Sequence, residues 1–307
     1  MKLVTFMHEN TTGIGIVDGG QVLDCKSAWR RFGRSEAPAD MLGLIAGGEP
    51  ALEQLRDLLH SAGRSPEDPR LWTPLAQVRL QAPIPLPRKN VFCVGRNYKA
   101  HIEEGARARG REVVFPPVPE FFSKPPTTVI GHDSDVRINT RQMQQLDYEV
   151  ELGFVIGRKA RDVASDAALE SVFGYTIIND ITARDLQVQH GQWFKGKSLD
   201  TSCPMGPWIV TRDEFGEPGG HRITLRVNGQ TRQESSTSDI LFGCSDIVAS
   251  LSEGLTLEPG DIVATGTPSG VALGMSPQAW LKDGDVVEAE IDGIGVLRNR
   301  IRALAGC

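Results

Sequence analysis

The chain has 307 residues, enough for one large domain with a small one or for two of ordinary size. Its 40% hydrophobic and 23% charged residues describe a soluble globular protein. Lys and Arg total 33 against 39 Asp and Glu, a net charge of −6; this argues against nucleic acid or a membrane surface as partner but leaves room for a local basic pocket. The five cysteines are scattered without a C-x-x-C pair, so the sequence points to neither a disulfide framework nor a zinc knuckle, and a reducing compartment is expected. No secretory segment and no apolar run near the ~18 residues of a membrane span is present, so the expected location is the cytoplasm.

Residues 1–80 read as a small α+β unit. Leu3–Phe6, Thr12–Val17 and Gln21–Asp24 have strand character, with a turn at Asp18-Gly-Gly20, and helical patterns follow at 41–45 and 51–59. Leu80–Arg88 carries prolines at alternate positions and reads as an extended connector, dividing the chain into 1–80 and a larger 81–307 unit. A buried strand at 90–94 leads into Gly95-Arg-Asn-Tyr98 and a short helix or turn at Lys99–Gly105, which Gly105 is expected to end. On a helix His101 and Glu104 share a face. An imidazole beside a carboxylate is an arrangement for general base catalysis, although the pair also suits an exposed helix end.

The basic run 107–111 and the proline-rich 113–119 read as loop and as part of a lid, before Lys124 returns between aromatic and proline residues. That lysine is either an anion-binding group or a snorkelling surface residue. In Leu146-Asp-Tyr-Glu-Val-Glu-Leu152 the acids alternate with apolar residues at strand period, so Glu149 and Glu151 project to one side. Asp180 ends a second apolar run, Tyr175–Asn179. If the two strands are neighbours, three carboxylates converge, and like charges that close favour a cation between them. Hard oxygen ligands suit Mg²⁺, Mn²⁺ or Ca²⁺ better than zinc. By itself, E-x-E also describes a solvated strand face.

Further on, Ser165–Val172 reads as a helix capped by Ser165. Thr182–Gln187 reads as a helix start bearing Arg184 and Gln187, and Gly196-Lys-Ser198 as a tight lysine turn without the frame of a P-loop. A hairpin is predicted around Asn228-Gly229, a helix at 245–253 capped by Ser245, and a last hairpin about Asp292-Gly293. Thr267-Pro-Ser-Gly270 offers backbone N–H groups to a carboxylate. Strands and turns dominate from residue 80 onward.

Five pieces in order resemble the fumarylacetoacetate hydrolase family: G-R-N-Y-x-x-H-x-x-E (Gly95 to Glu104), D-Y-E-V-E-L (Asp147 to Leu152), N-D-I-T-A-R-D-x-Q (Asn179 to Gln187), G-K-S (Gly196 to Ser198) and T-G-T-P-S-G-V (Thr265 to Val271). The resemblance implies a β-rich α+β fold, a mixed β-sandwich roll with a small N-terminal α+β domain, assembled as a homodimer. It implies metal ligands at Glu149, Glu151 and Asp180, with Mg²⁺ or a similar ion. His101 and Glu104 match the water-activating dyad, and Lys197 the lysine that stabilises an enolate. Arg184, Gln187 and Thr267 match groups near the substrate, with Tyr98 and Lys124 assigned to its far end.

The implied reaction is hydrolysis of a C–C bond in a small 2,4-dioxo acid of acylpyruvate type. The alternative is isomerisation, tautomerisation or decarboxylation of a related oxo acid such as oxaloacetate, through the same enolate. One departure points to the smaller, acylpyruvase-like branch: Val94-Gly-Arg-Asn97 lacks the fourth acidic ligand carried by fumarylacetoacetate hydrolases proper.

Overall fold

A computed structural model describes residues 1–33, 36–63, 65–139 and 143–304. Among the described residues the strands form a twelve-stranded sheet, a five-stranded sheet and a two-stranded ribbon. In the large sheet, Lys2–His8 lies beside Cys203–Thr211, which is followed by Val172–Asn179, Val150–Ile156, Ile262–Ala264, Val91–Gly95 and Glu120–Lys124. The first residues thus share a sheet with the rest: Leu3 pairs with Ile209, and Phe6 with Leu80 at the predicted boundary.

Every residue of Val150–Ile156 and of Val172–Asn179 is buried. These strands are central and covered on both faces, so they read as continuous apolar runs. Successive side chains serve opposite faces. Phe154 and Ile177 pack with Ile223, Leu225, Ala289 and Leu297 of the five-stranded sheet. Val155 and Ile178 face the other way, packing in the cluster of Leu44, Ile45 and Leu55 from the N-terminal helices. The large sheet is thereby sandwiched between a second sheet and a helical layer. Among the described residues, no helix is long and apolar enough to cross a membrane.

Several local expectations change. The acidic segment is not one strand: Leu146–Asp147 pairs with Thr182–Ala183 in the ribbon, whereas Val150–Ile156 belongs to the large sheet, and Tyr148-Glu149 lies between them. The helix after Tyr98 runs through Gly105 to Ala108, because Gly105 is buried and packs closely under Arg109. Ser165 does not cap its helix; its hydroxyl donates to Asp246 at 3.0 Å, and the α-helix ends at Ala168 in a short 3₁₀ turn. The helix predicted from Ser245 begins at Cys244, with the Gly243 N–H donating to Asp246 at 3.1 Å.

Candidate active site

The register Val150↔Asn179 between the two central strands brings Glu149 to Asp180, whose N–H donates to the Glu149 carbonyl at 2.8 Å. Glu149, Glu151 and Asp180 each offer a carboxylate oxygen, the three within 4.8 Å of one another, and all three side chains are buried. Lys197, on the short helix Phe194–Lys197, donates to Glu149 Oε2 and to Asp180 Oδ2, each at 2.6 Å. Arg184 begins the helix Arg184–Gln189 and donates to Glu149 Oε1 at 2.5 Å and, from Nε, to Asp147 Oδ2 at 2.9 Å.

These pairings set the charges. Burial opposes ionisation of Glu149, but Lys197 and then Arg184 hold it down at about 2. Burial also works against the Lys197 ammonium, yet Asp180 and Glu149 keep it above the ordinary lysine range. Glu151 differs: burial first, then Asp180 and Glu149, push it well above the usual carboxylate range. Its Oε2 accepts the Gly266 N–H at 2.8 Å, and it makes no ion pair among the described residues. Gly266 reaches it from a backbone with φ +97, and a Cβ there would meet Asn97 Cβ at 2.8 Å.

Three converging carboxylates, one without a cationic partner, fit a hard divalent cation. Bound there, such an ion would supply electrophilic pull on substrate oxygens.

Beside the acids opens a cavity of 510 Å³ lined by His101, Glu149, Glu151, Arg184, Gln187, Lys197 and Thr267 among others. His101 Nδ1 lies 3.5 Å from Glu104 Oε2 and has no hydrogen-bond partner. Glu104 is instead held by Gly270, whose N–H faces both its oxygens at 3.0 and 3.1 Å. Gln187 accepts from Arg184 Nη1 at 3.3 Å. The Thr267 hydroxyl donates to Val150 O at 2.9 Å and accepts from Gln233 Nε2 at 2.8 Å, which fixes the loop where it lines the cavity.

Two residues assigned to the substrate's far end lie elsewhere. Lys124 is fully buried, donating to Asp180 Oδ1 at 2.6 Å, to Ile181 O at 3.2 Å and to Lys197 O. Asp180 has no exposure to water and needs counter-charge, which fixes Lys124 behind it. Tyr98 is buried at the strand exit, bridging to Ile240, and does not line the cavity.

Other participants were missed. Asp147 is wholly buried and takes the Ala272 N–H at 2.7 Å as well as Arg184, anchoring the guanidinium. Gln233 ties Val150 to Thr267 and Pro268 from the five-stranded sheet. Trp193 packs so closely on Gly95 that a Cβ there would come within 2.0 Å of the indole, and it meets Phe122 edge-on. Asp147 stands in the D-Y-E-V-E-L motif, but its partners are far apart in sequence, and Gln233 and Trp193 have no local signal beyond residue type.

Residues 90–302 match the family described as fumarylacetoacetate (FAA) hydrolase C-terminal. The chain belongs to the fumarylacetoacetate hydrolase family. Its β-rich fold, expected from the sequence, is the fold of that family. Over 305 residues the chain is 42% identical to the oxaloacetate tautomerase YisK of Bacillus subtilis, covering 98% of this chain and 100% of that protein. It is similar to the solved fumarylacetoacetate hydrolase of Exiguobacterium antarcticum, with 40% identity, TM-score 0.80 and coverage of 99% and 100%. A third likeness is to maleylpyruvate hydrolase from Sphingobium, solved with manganese(II) and pyruvate: 31% identity, TM-score 0.75, 99% of each chain.

Proposed function

We propose that the protein is a divalent-metal-dependent tautomerase interconverting the keto and enol forms of a small 2-oxo dicarboxylic acid of the oxaloacetate type. The observation that carries this reading is full-length similarity to an oxaloacetate tautomerase, joined to a buried acid cluster with a lysine at its edge. Glu149, Glu151 and Asp180 would hold Mg²⁺ or Mn²⁺, whose charge stabilises an enolate. Lys197 keeps its ammonium at the cavity floor and stabilises negative charge on the 2-oxygen. His101 takes the proton from C3 and returns it to that oxygen, acting first as base and then as acid. The C–H bond breaks, the O–H bond forms, and neither water nor a carbon–carbon bond is consumed.

Hydrolysis, the first expectation from the sequence, asks more of the dyad: Glu104 must orient His101 while the ring activates water. Here Glu104 accepts the Gly270 N–H, and its 3.5 Å contact with His101 makes no hydrogen bond. That geometry favours the tautomerase alternative. The test follows oxaloacetate enol loss by absorbance with Mg²⁺, with Mn²⁺ and after chelation, beside a panel of acylpyruvates with products identified. Metal-dependent acceleration of enol–keto exchange is expected. Cleavage of an acylpyruvate at the higher kcat/KM would return the hydrolase reading.

A further inference from the structure

Besides the acids, the cavity is lined by Arg96, Arg109 and Arg111. Of the cavity's cations, most are committed: Arg184 to Asp147 and Glu149, Lys197 to Glu149 and Asp180, and Arg96 to Glu120 and Val114 O. Arg109 and Arg111 make no ion pair among the described residues, and Glu112, which also lines the cavity, pairs with neither. Arg109 caps the helix Lys99–Ala108 and folds back so that Nη1 donates to Gly105 O at 3.2 Å. A guanidinium has five N–H donors, so most remain available. Partial burial, then repulsion from Arg184 and Arg111, lowers Arg109 from the ordinary arginine range, while Glu149 and Asp147 act in the opposite sense. Its head group is therefore within the field of the acid cluster and under like-charge repulsion.

Charge balance says what relieves that repulsion. With Glu151 ionised, as a bound cation would make it, Asp147, Glu149, Glu151 and Asp180 stand against Lys124, Arg184 and Lys197, leaving one negative charge in excess. A divalent ion would turn that into one positive charge, which a single carboxylate at the chelating end of a 2-oxo acid would neutralise. A second carboxylate would have no counterpart near the acids and would be drawn to the Arg109 guanidinium, which lines the same cavity without an ion-pair partner among the described residues.

We infer that Arg109 is the residue that selects a dicarboxylate, pairing with the carboxylate remote from the 2-oxo group. This rests on the tautomerase reading for its substrate and deepens it. A bidentate arginine–carboxylate pair gives geometric selection as well as affinity. Arg184 is not the selector, because Nε, Nη1 and Nη2 each already donate, to Asp147, Gln187 and Glu149, which holds its guanidinium against the acids.

The test uses two unreactive 2-hydroxy acids with the same chelating end: malate, with a second carboxylate, and lactate, without one. Their Kd values are measured by calorimetry on the Mn²⁺-loaded protein, for wild type, R109Q, R109K and R111Q. Wild type should bind malate at least about ten-fold more tightly than lactate, and R109Q should remove most of that ratio, with partial recovery in R109K. An undiminished ratio in R109Q, a ratio lost only in R111Q, or no preference in wild type overturns the assignment. Oxaloacetate tautomerisation by wild type is measured separately. Malate selection through Arg109 without tautomerisation would keep the arginine's role and remove the tautomerase reading.

Discussion

Replacing Lys124 with methionine preserves most of the side chain's length and removes its charge. Lys124 and Asp180 are both fully buried, with Nζ and Oδ1 2.6 Å apart. In K124M the carbonyls of Ile181 and Lys197 lose a donor, at about 1 kcal/mol each. Removing a partner from an isolated buried ion pair costs roughly 3–5 kcal/mol. Asp180 retains Lys197 at 2.6 Å, so the ion-pair loss falls to about 1–2 kcal/mol. The expected destabilisation is then about 3–4 kcal/mol. It is measured by urea unfolding in metal-free buffer, as a lowered midpoint at unchanged slope. Mn²⁺ should restore more stability to K124M than it adds to wild type, since a cation at Asp180 replaces the lost charge. A variant within about 1 kcal/mol of wild type would show that Lys124 is not the counter-charge of Asp180.

Three further outcomes are expected. Glu149→Ala or Asp180→Ala should abolish both Mn²⁺ binding by calorimetry and metal-dependent turnover; binding retained in either variant would displace the metal centre. His101→Ala should lower kcat by about a hundred-fold or more while leaving Mn²⁺ affinity near wild type, and full activity would move the proton shuttle to another residue. Gly95→Ala puts a Cβ within 2.0 Å of the Trp193 ring, so the indole should swing outward, with red-shifted fluorescence and a raised KM. An unshifted spectrum would mean that the backbone, not Trp193, yields.

Much of the site was legible because its signals are local. Glu149 and Glu151 share a side through the two-residue period of extended chain, even though the strand is interrupted between Asp147 and Val150. His101 and Glu104 share a helix face through the i, i+3 spacing, and their side chains come within 3.5 Å. The hairpin at Asn228-Gly229 follows from two residues that accept positive φ, here 51 and 78. Lys124 was misplaced for a physical reason: its flanking residues describe a strand edge, but its burial is decided by an aspartate 56 positions away.

The sequence by itself determined the β-rich character, the hairpins and the shared side of Glu149 and Glu151, since these depend on periodicity and turn chemistry within a few residues. Only the tertiary structure decided which cation serves which acid. Arg184 reaches Asp147 across 37 residues, Lys197 reaches Glu149 across 48, and the first strand joins the central sheet across more than 200. Such pairings follow from strand register and from the cost of burying a charge alone, neither of which is written in a local pattern. The same is true of Arg109: in sequence it is one of several arginines in a basic run, and only the folded chain shows that it lines the cavity beside the acids.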